Sequence, residues 1–265
     1  MLIDCKEAIK FICITPRGEV KYIIEINLRR FKVKTIKSFL AIDEKYKSVV
    51  NNYGSVDGIY SVVSYVLVMV LYYVMGVVYA EHNLYLGYQI NLLLAIVCMT
   101  FVFFRRQTIE SIGFGKRNLI KSIILGTILS TIIVLINLIP GLMSGRQFQS
   151  LSRLGSQFLY YFVIIALVEE IVFRGFIQTR IYGIIKKPVV AILLTSFMFM
   201  SMHIPFQMGA AHMDFFTYIS NNFVTLIFTF GWHIIFNYLY AKYNSIAAPT
   251  IFHAFMDWSN YLFIR

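Results

Sequence analysis

Apolar residues in this chain come in long blocks separated by short polar stretches, and seven blocks follow one another at roughly 59–80, 86–104, 122–140, 157–179, 188–204, 218–241 and 246–264. Each is close to the ~20 residues a helix needs to cross a hydrocarbon core about 30 Å thick. The pattern predicts an all-α fold, a polytopic transmembrane bundle of about seven membrane helices. Residues 1–58 follow a different pattern, alternating short apolar runs such as Phe11-Ile12-Cys13-Ile14 with charges. Lys21 to Phe31 reads as a strand or a short amphipathic element. The chain therefore divides into a basic N-terminal cytoplasmic segment, 1–58, and a transmembrane domain, 59–265. An equally good reading of the first segment is a basic tail lying along lipid headgroups.

Composition supports the membrane class: 58% of the residues are apolar, 17% aromatic and only 14% charged, where a soluble domain is about a quarter charged. Met1 to Gly58 holds 11 basic and 7 acidic residues with no sustained apolar run. No cleavable signal is read there, so the first membrane helix is expected to direct insertion. The net charge of +11 raises nucleic acid as a partner, but the basic residues sit between the apolar blocks and form no single basic face with stacking aromatics. Their distribution instead predicts orientation. Arg105, Arg106, Lys116, Arg117 and Lys121 fill one loop, Arg180, Lys186 and Lys187 another, and Lys242 a third. The alternate loops 81–85 and 205–217 have neither Lys nor Arg, and 141–156 has only Arg146 and Arg153. The expectation is a multi-pass protein of the cell membrane with its N-terminus cytoplasmic and its C-terminus outside. Cys5, Cys13 and Cys98 are too few and too scattered for a disulfide framework.

An ionisable residue at membrane depth costs about 2.5–3.5 kcal/mol on insertion scales, so each one calls for a partner or a task. The fourth block contains Glu169-Glu170 and Arg174, the fifth ends in Phe199 to His203, the sixth holds His233 and Asn237, and the last holds His253 and Asp257. Glu170 and Arg174 are four residues apart, on one helix face and in reach of an ion pair. Glu169 is about 100° around the helix and free to face something else. His253 and Asp257 share a face in the same way, where the carboxylate can orient the imidazole. Interhelical hydrogen bonding alone would account for any single histidine here. It does not account for two adjacent carboxylates when an ion pair with Arg174 needs one.

The ordered set resembles the CPBP family, the CAAX proteases and bacteriocin-processing enzymes. Glu169, Glu170 and Arg174 match its E-E-x-x-x-R motif, Phe199 and His203 its F-x-x-x-H, and His253 and Asp257 its H-x-x-x-N/D, with Asn244-Ser245-Ile246-Ala247-Ala248-Pro249 leading into the third. The resemblance covers about residues 157–257. His233 and Asn237 also fit H-x-x-x-N, but their position marks them as a structural helix preceding the third motif. The resemblance implies that Glu169 activates a water, that His203 and His253 hold that water or a metal ion, and that Asp257 completes the cluster. Glu170 and Arg174 would be structural or would steady the substrate. Zinc is the metal such residues would take, with water activation without metal as the other form, since the H-E-x-x-H pair of an easily read zinc site is lacking.

The function expected is that of an intramembrane endopeptidase. Its partners would be the lipid bilayer and a peptide substrate, in the form of a membrane-associated or secreted precursor, and no nucleic acid. A non-catalytic role in bacteriocin immunity or as a membrane scaffold is the alternative. A proton-coupled transporter is disfavoured by the lack of a visible repeat or broken-helix pair. No G-x-S-x-G serine-hydrolase context is present, for in Gly141-Leu142-Met143-Ser144-Gly145 the serine comes one place late.

Overall fold

The structure, a computed structural model, describes residues 9–14, 20–26 and 41–264, with side chains from 41 onward. It divides into two units, Met1–Ala41 and Ile42–Arg265. In the first, strands β1 (Ile9–Ile14) and β2 (Val20–Ile26) pair antiparallel, with Ile9 opposite Ile26 and Ile14 opposite Val20. β2 takes up the first part of the stretch expected to be extended or amphipathic, and residues 27–31 lie outside the described residues.

The second unit is a helix bundle. It begins earlier than the expected boundary at 58, because α1 (Glu44–Asn51) buries Tyr46 and Val50 in a cluster with Tyr182 and Tyr240. Asp43 starts this helix by accepting the Lys45 and Tyr46 amides at 2.9 and 3.1 Å, which satisfies two of the donors that a helix N-terminus leaves free. Among the described residues, five helices are then long and apolar enough to cross a membrane: α2 (Ser55–His82), α3 (Gly87–Phe104), α4 (Leu119–Met143), α6 (Pro188–Ala211) and α7 (Phe215–Tyr243).

The other two apolar blocks fold differently from simple spans. We call the segment between α4 and α6 α5. It winds as α-helix over Leu151–Leu159, as π-helix over Tyr160–Leu167, as α-helix over Val168–Glu170 and again as π-helix over Ile171–Gln178. The last block yields α8 (Ala247–Ser259), whose 13 residues rise only about 20 Å. That is short of the hydrocarbon thickness. Apolarity marked both blocks as membrane segments, but length counted in apolar residues does not reveal where a helix starts and stops.

Close approach of backbones holds the bundle together, as expected where lipid provides no hydrophobic contrast between helices. α2 and α6 cross at Gly76 and Gly209. A Cβ on Gly76 would lie 2.3 Å from the Phe206 carbonyl oxygen, and one on Gly209 2.8 Å from the Val77 nitrogen. α4 and α8 meet in the same manner at Gly126, where a Cβ would stand 3.0 Å from the Ala248 Cα. The apolar core lies between α2, α3, α5 and α6, around Val68, Leu94, Cys98, Val172, Phe176 and Phe199.

One end of the bundle is tied by a buried polar network. Asp57 accepts from Arg105 Nε at 3.1 Å and from Gln107 Nε2 at 2.9 Å. Gln107 in turn accepts from Arg180 Nη2 at 2.7 Å, and Arg180 Nη1 donates to the carbonyls of Ser111 and Gly175 at 3.1 and 2.7 Å. Arg180 is 1% exposed. Expected as one of the basic loop residues, it is instead a buried clamp between the α3–α4 loop and the end of α5.

The glycine crossing generates a direct expectation. Gly76→Val and Gly209→Val each force backbones apart and lower stability by about 1–3 kcal/mol, read as a lower midpoint of unfolding in a detergent titration. Gly155→Ala, at a position with nothing within 4 Å of the new Cβ, leaves the midpoint unchanged or raises it slightly.

Candidate active site

Four helices converge near the middle of the bundle, each with part of one polar cluster. α5 supplies Glu169, Glu170 and Arg174; α6 supplies Phe199 and His203; α7 supplies His233; α8 supplies His253 and Asp257. The site is graded in exposure. The side chains of Glu170 and Arg174 are 0% exposed, His253 5%, Glu169 11% and Asp257 30%. Access from outside the protein therefore runs past Asp257 to Glu169, with Glu170 and Arg174 sealed behind them.

Glu170 is the hinge of the cluster. Its Oε1 lies 3.1 Å from Arg174 Nη1 and 2.9 Å from His253 Nδ1. A carboxylate only accepts, so the His253 proton on this side sits on Nδ1 and donates to Glu170. The other ring nitrogen, Nε2, then faces the more open side, 3.8 Å from Glu169 Oε2 and 3.4 Å from Asp257 Oδ2. A carboxylate that fixes the tautomer and plane of an imidazole is a recurrent way to aim its second nitrogen. Glu170 thus does more than pair with Arg174, which is all the helical spacing indicated.

Arg174 is contacted from several sides, although its Nε and Nη1 make no hydrogen bond. Besides Glu170 it contacts His233, its Nη2 meeting His233 Nδ1. Arginine has no acceptor and keeps its charge, so His233 Nδ1 accepts and the imidazole is neutral. The guanidinium also lies over the Phe199 ring at 4.4 Å and the Phe236 ring at 5.2 Å, cation–π contacts that suit a charge removed from water. His233 and Phe199 stack with ring centres 3.4 Å apart. Of the H-x-x-x-N pair on α7, then, His233 enters the cluster as the acceptor for Arg174. Asn237 points elsewhere, donating to Ile192 O, Thr195 Oγ1 and Ser196 Oγ at 3.2, 3.1 and 2.8 Å and so binding α7 to α6.

His203 lies across from these residues on α6. Its Nδ1 donates to the Phe199 carbonyl one turn back at 3.1 Å, which leaves Nε2 as the free nitrogen. Its ring is 5.3 Å from Phe199 and 6.3 Å from His233, and the residue is exposed. Two residues on, Pro205 is accommodated inside α6, where the missing N–H frees the Ser201 carbonyl.

Structural zinc sites take four protein ligands and catalytic ones three. Among the described residues, no group of three or more His, Cys, Asp or Glu side chains is placed to hold a metal ion. The cluster is not a preformed cage of that kind. What it can do as it stands is hold a small polar molecule between Glu169, His253 Nε2 and Asp257, with a carboxylate available to take a proton.

The Glu170–His253 bond, the Arg174–His233 contact and the aromatic pair Phe199–Phe236 around the guanidinium were not legible as contacts. The signal available was only that each residue interrupts or flanks an apolar block. Tyr72 and Asn91, buried on α2 and α3, border the same small void as Glu169, and neither belongs to a motif of the sequence.

Comparison with curated proteins and with solved structures gives no significant match. Comparison with family models gives one: residues 152–259 match the family described as type II CAAX prenyl endopeptidase, Rce1-like. That stretch includes Glu169, Glu170, Arg174, His203, His233, His253 and Asp257, and over it the chain is similar to the type II CAAX prenyl endopeptidases.

Proposed function

We propose that this protein is an intramembrane endopeptidase that hydrolyses a peptide bond in a membrane-associated or secreted-peptide precursor, with Glu169 as the base that activates water. The observation that carries the reading is the 3.8 Å approach of Glu169 Oε2 to His253 Nε2, on the side of the ring left free by the Glu170 bond to Nδ1. A water beside this pair donates one proton to Glu169 and the other to His253 Nε2, with Asp257 Oδ2 3.4 Å from that nitrogen. As its oxygen bonds to the substrate carbonyl carbon, Glu169 takes that proton. When the C–N bond breaks, Glu169 returns it to the leaving amine. In this reading His203, whose Nε2 is left free on α6, adds a further polar group beside the scissile bond. A bound metal, were zinc to join Glu169, His203, His253 and Asp257, would supply Lewis acidity to the carbonyl; the steps above use only the side chains.

A groove of 840 Å³ supports a substrate with an apolar part. Met200, Ser201 and Ile204, beside His203 on α6, line one wall, with Tyr65 and Met69 of α2 and Phe223 of α7 opposite. An apolar trough suits the apolar part of a peptide delivered from the bilayer, and its lining includes none of the cluster residues.

The test is cleavage of tagged candidate precursor peptides in proteoliposomes. Glu169→Ala, His203→Ala and His253→Ala, present at equal levels, are expected to lose activity by about 10²–10⁴-fold, as for removal of a general base or its partners. Thr131→Ala, on the exposed face of α4, is expected to keep it. A bacteriocin-resistance phenotype that survives all three site substitutions would favour the immunity or scaffold role instead.

Asp257 allows a finer expectation. Asp257→Asn preserves a polar partner for the water and for His253 and should retain activity within about tenfold, while Asp257→Ala, which removes it, falls further. Equal activity of the two variants in the same assay would remove Asp257 from the reaction.

A further inference from the structure

Two polar side chains from outside the family-matched domain approach the site from behind. Tyr72 on α2 and Asn91 on α3 are 8% and 3% exposed. The Tyr72 hydroxyl donates to Asn91 Oδ1 at 2.8 Å, and Asn91 Nδ2 donates to the main-chain carbonyl of Ile164 at 3.3 Å. Ile164 belongs to the π-wound stretch Tyr160–Leu167 that leads into Val168–Glu170. Since π-helical bonds join residues five apart, Ile164 is one such step before Glu169. Tyr72, Asn91 and Glu169 also wall a single void of 10 Å³, closed by Leu94, Val172 and Phe173.

We propose that Tyr72 and Asn91 are positioning residues for Glu169. Asn91 grips the turn that sets the angle of Glu169 around the α5 axis, and Tyr72 fixes the amide so that its N–H₂ points at Ile164. Three features favour this over simple helix adhesion. An apolar pair would pack α2, α3 and α5 without placing polar groups in a bilayer, where each must be satisfied. The bond from Asn91 goes to the backbone of the π-wound stretch, so it acts on the winding itself. The third feature is the shared void, which makes Tyr72 and Asn91 the neighbours of Glu169 on the side away from His253. The remaining groups that face Glu169 are His253 and Asp257 on α8, with Glu170 and Arg174 on its own helix. Loss of the Asn91 bond lets α5 relax toward plain α-helix and turns Glu169 away from His253 Nε2. The inference deepens the endopeptidase reading and takes from it the role of Glu169.

Two readouts on the full-length protein test it, one of them independent of proteolysis. The first is the infrared stretch of the Glu169 carboxyl group at fixed pH, identified as the band lost in Glu169→Gln. It is expected to move in Tyr72→Phe and in Asn91→Leu, because the hydrogen bonding and placement of the carboxyl change. The second is peptide cleavage in proteoliposomes. There kcat is expected to fall about tenfold in each variant, the scale typical of lost outer-shell support, with KM within about twofold of wild type. A Glu169 band that stays at its wild-type position in folded Tyr72→Phe overturns the proposal. So does a change confined to KM. Tyr72→Phe removes one hydroxyl and decides the matter alone if Asn91→Leu fails to fold. Band shifts in both variants, in a protein whose wild type cleaves none of the peptides, uphold the positioning role and count against the endopeptidase reading.

Discussion

A guanidinium with no exposed surface, held inside a membrane bundle, is the constraint around which the rest of this structure is arranged. Arg174 cannot lose its proton and cannot reach water. Its neighbours are therefore dictated: Glu170 for charge, His233 Nδ1 as a neutral acceptor, and the faces of Phe199 and Phe236. These come from α5, α6 and α7, so meeting the needs of one cation registers three helices against one another. Removing either charge alone would strand the other, which is far more costly than replacing both. α8 joins through Glu170, because the oxygen that faces Arg174 also receives His253 Nδ1. The Nε2 edge of His253 is consequently aimed by the same interaction that neutralises Arg174.

This arrangement separates the two glutamates. Glu170, fully buried and engaged twice, is part of the frame. Glu169, itself buried with a side chain 11% exposed, lies beside His253 Nε2 and near Asp257. The second carboxylate that a simple ion pair could not explain is the one that faces His253 Nε2 and Asp257. Neighbouring residues of the same chemical type thus take different tasks through the elements they face, α7 and α8 behind, the open side of α8 in front.

Helical spacing made part of this readable in advance. Glu170 with Arg174 and His253 with Asp257 are pairs four apart, and each stands within 3.4 Å in space because an i, i+4 pair is local and depends on little except the helix itself. The membrane class was equally plain, since apolar blocks leave few alternatives. Contacts between helices were not readable. Nothing in the order of residues states that His253 turns toward Glu170, or that His233 meets Arg174 while Asn237, four residues on, binds α6. Arg180 shows the limit from the other direction. Loop charge and buried clamp look identical in a count of basic residues, and only the acceptors Gln107, Ser111 and Gly175 distinguish them.

The winding of α5 is the deepest feature that pattern could not supply. A period of 3.6 residues separates Glu169 and Glu170 by about 100°, and a plain helix that buries one fully would swing the other well aside. Here the two residues sit in a short α-wound step between π-wound stretches on either side. π-bulges carry an extra residue per turn, are uncommon, and occur disproportionately at functional sites. Their effect is local: residues beyond each one are displaced around the axis without a break in the helix. Within the α-wound step Glu169 and Glu170 stay about 100° apart, so Glu170 meets Arg174 while Glu169 faces His253 Nε2 and Asp257. Apolar periodicity is blind to this device, because Tyr160 to Leu167 is apolar at every position apart from its tyrosine hydroxyls and gives no face to count. Among the described residues, Asn91 reaches the backbone of that stretch from outside α5, through its bond to the Ile164 carbonyl.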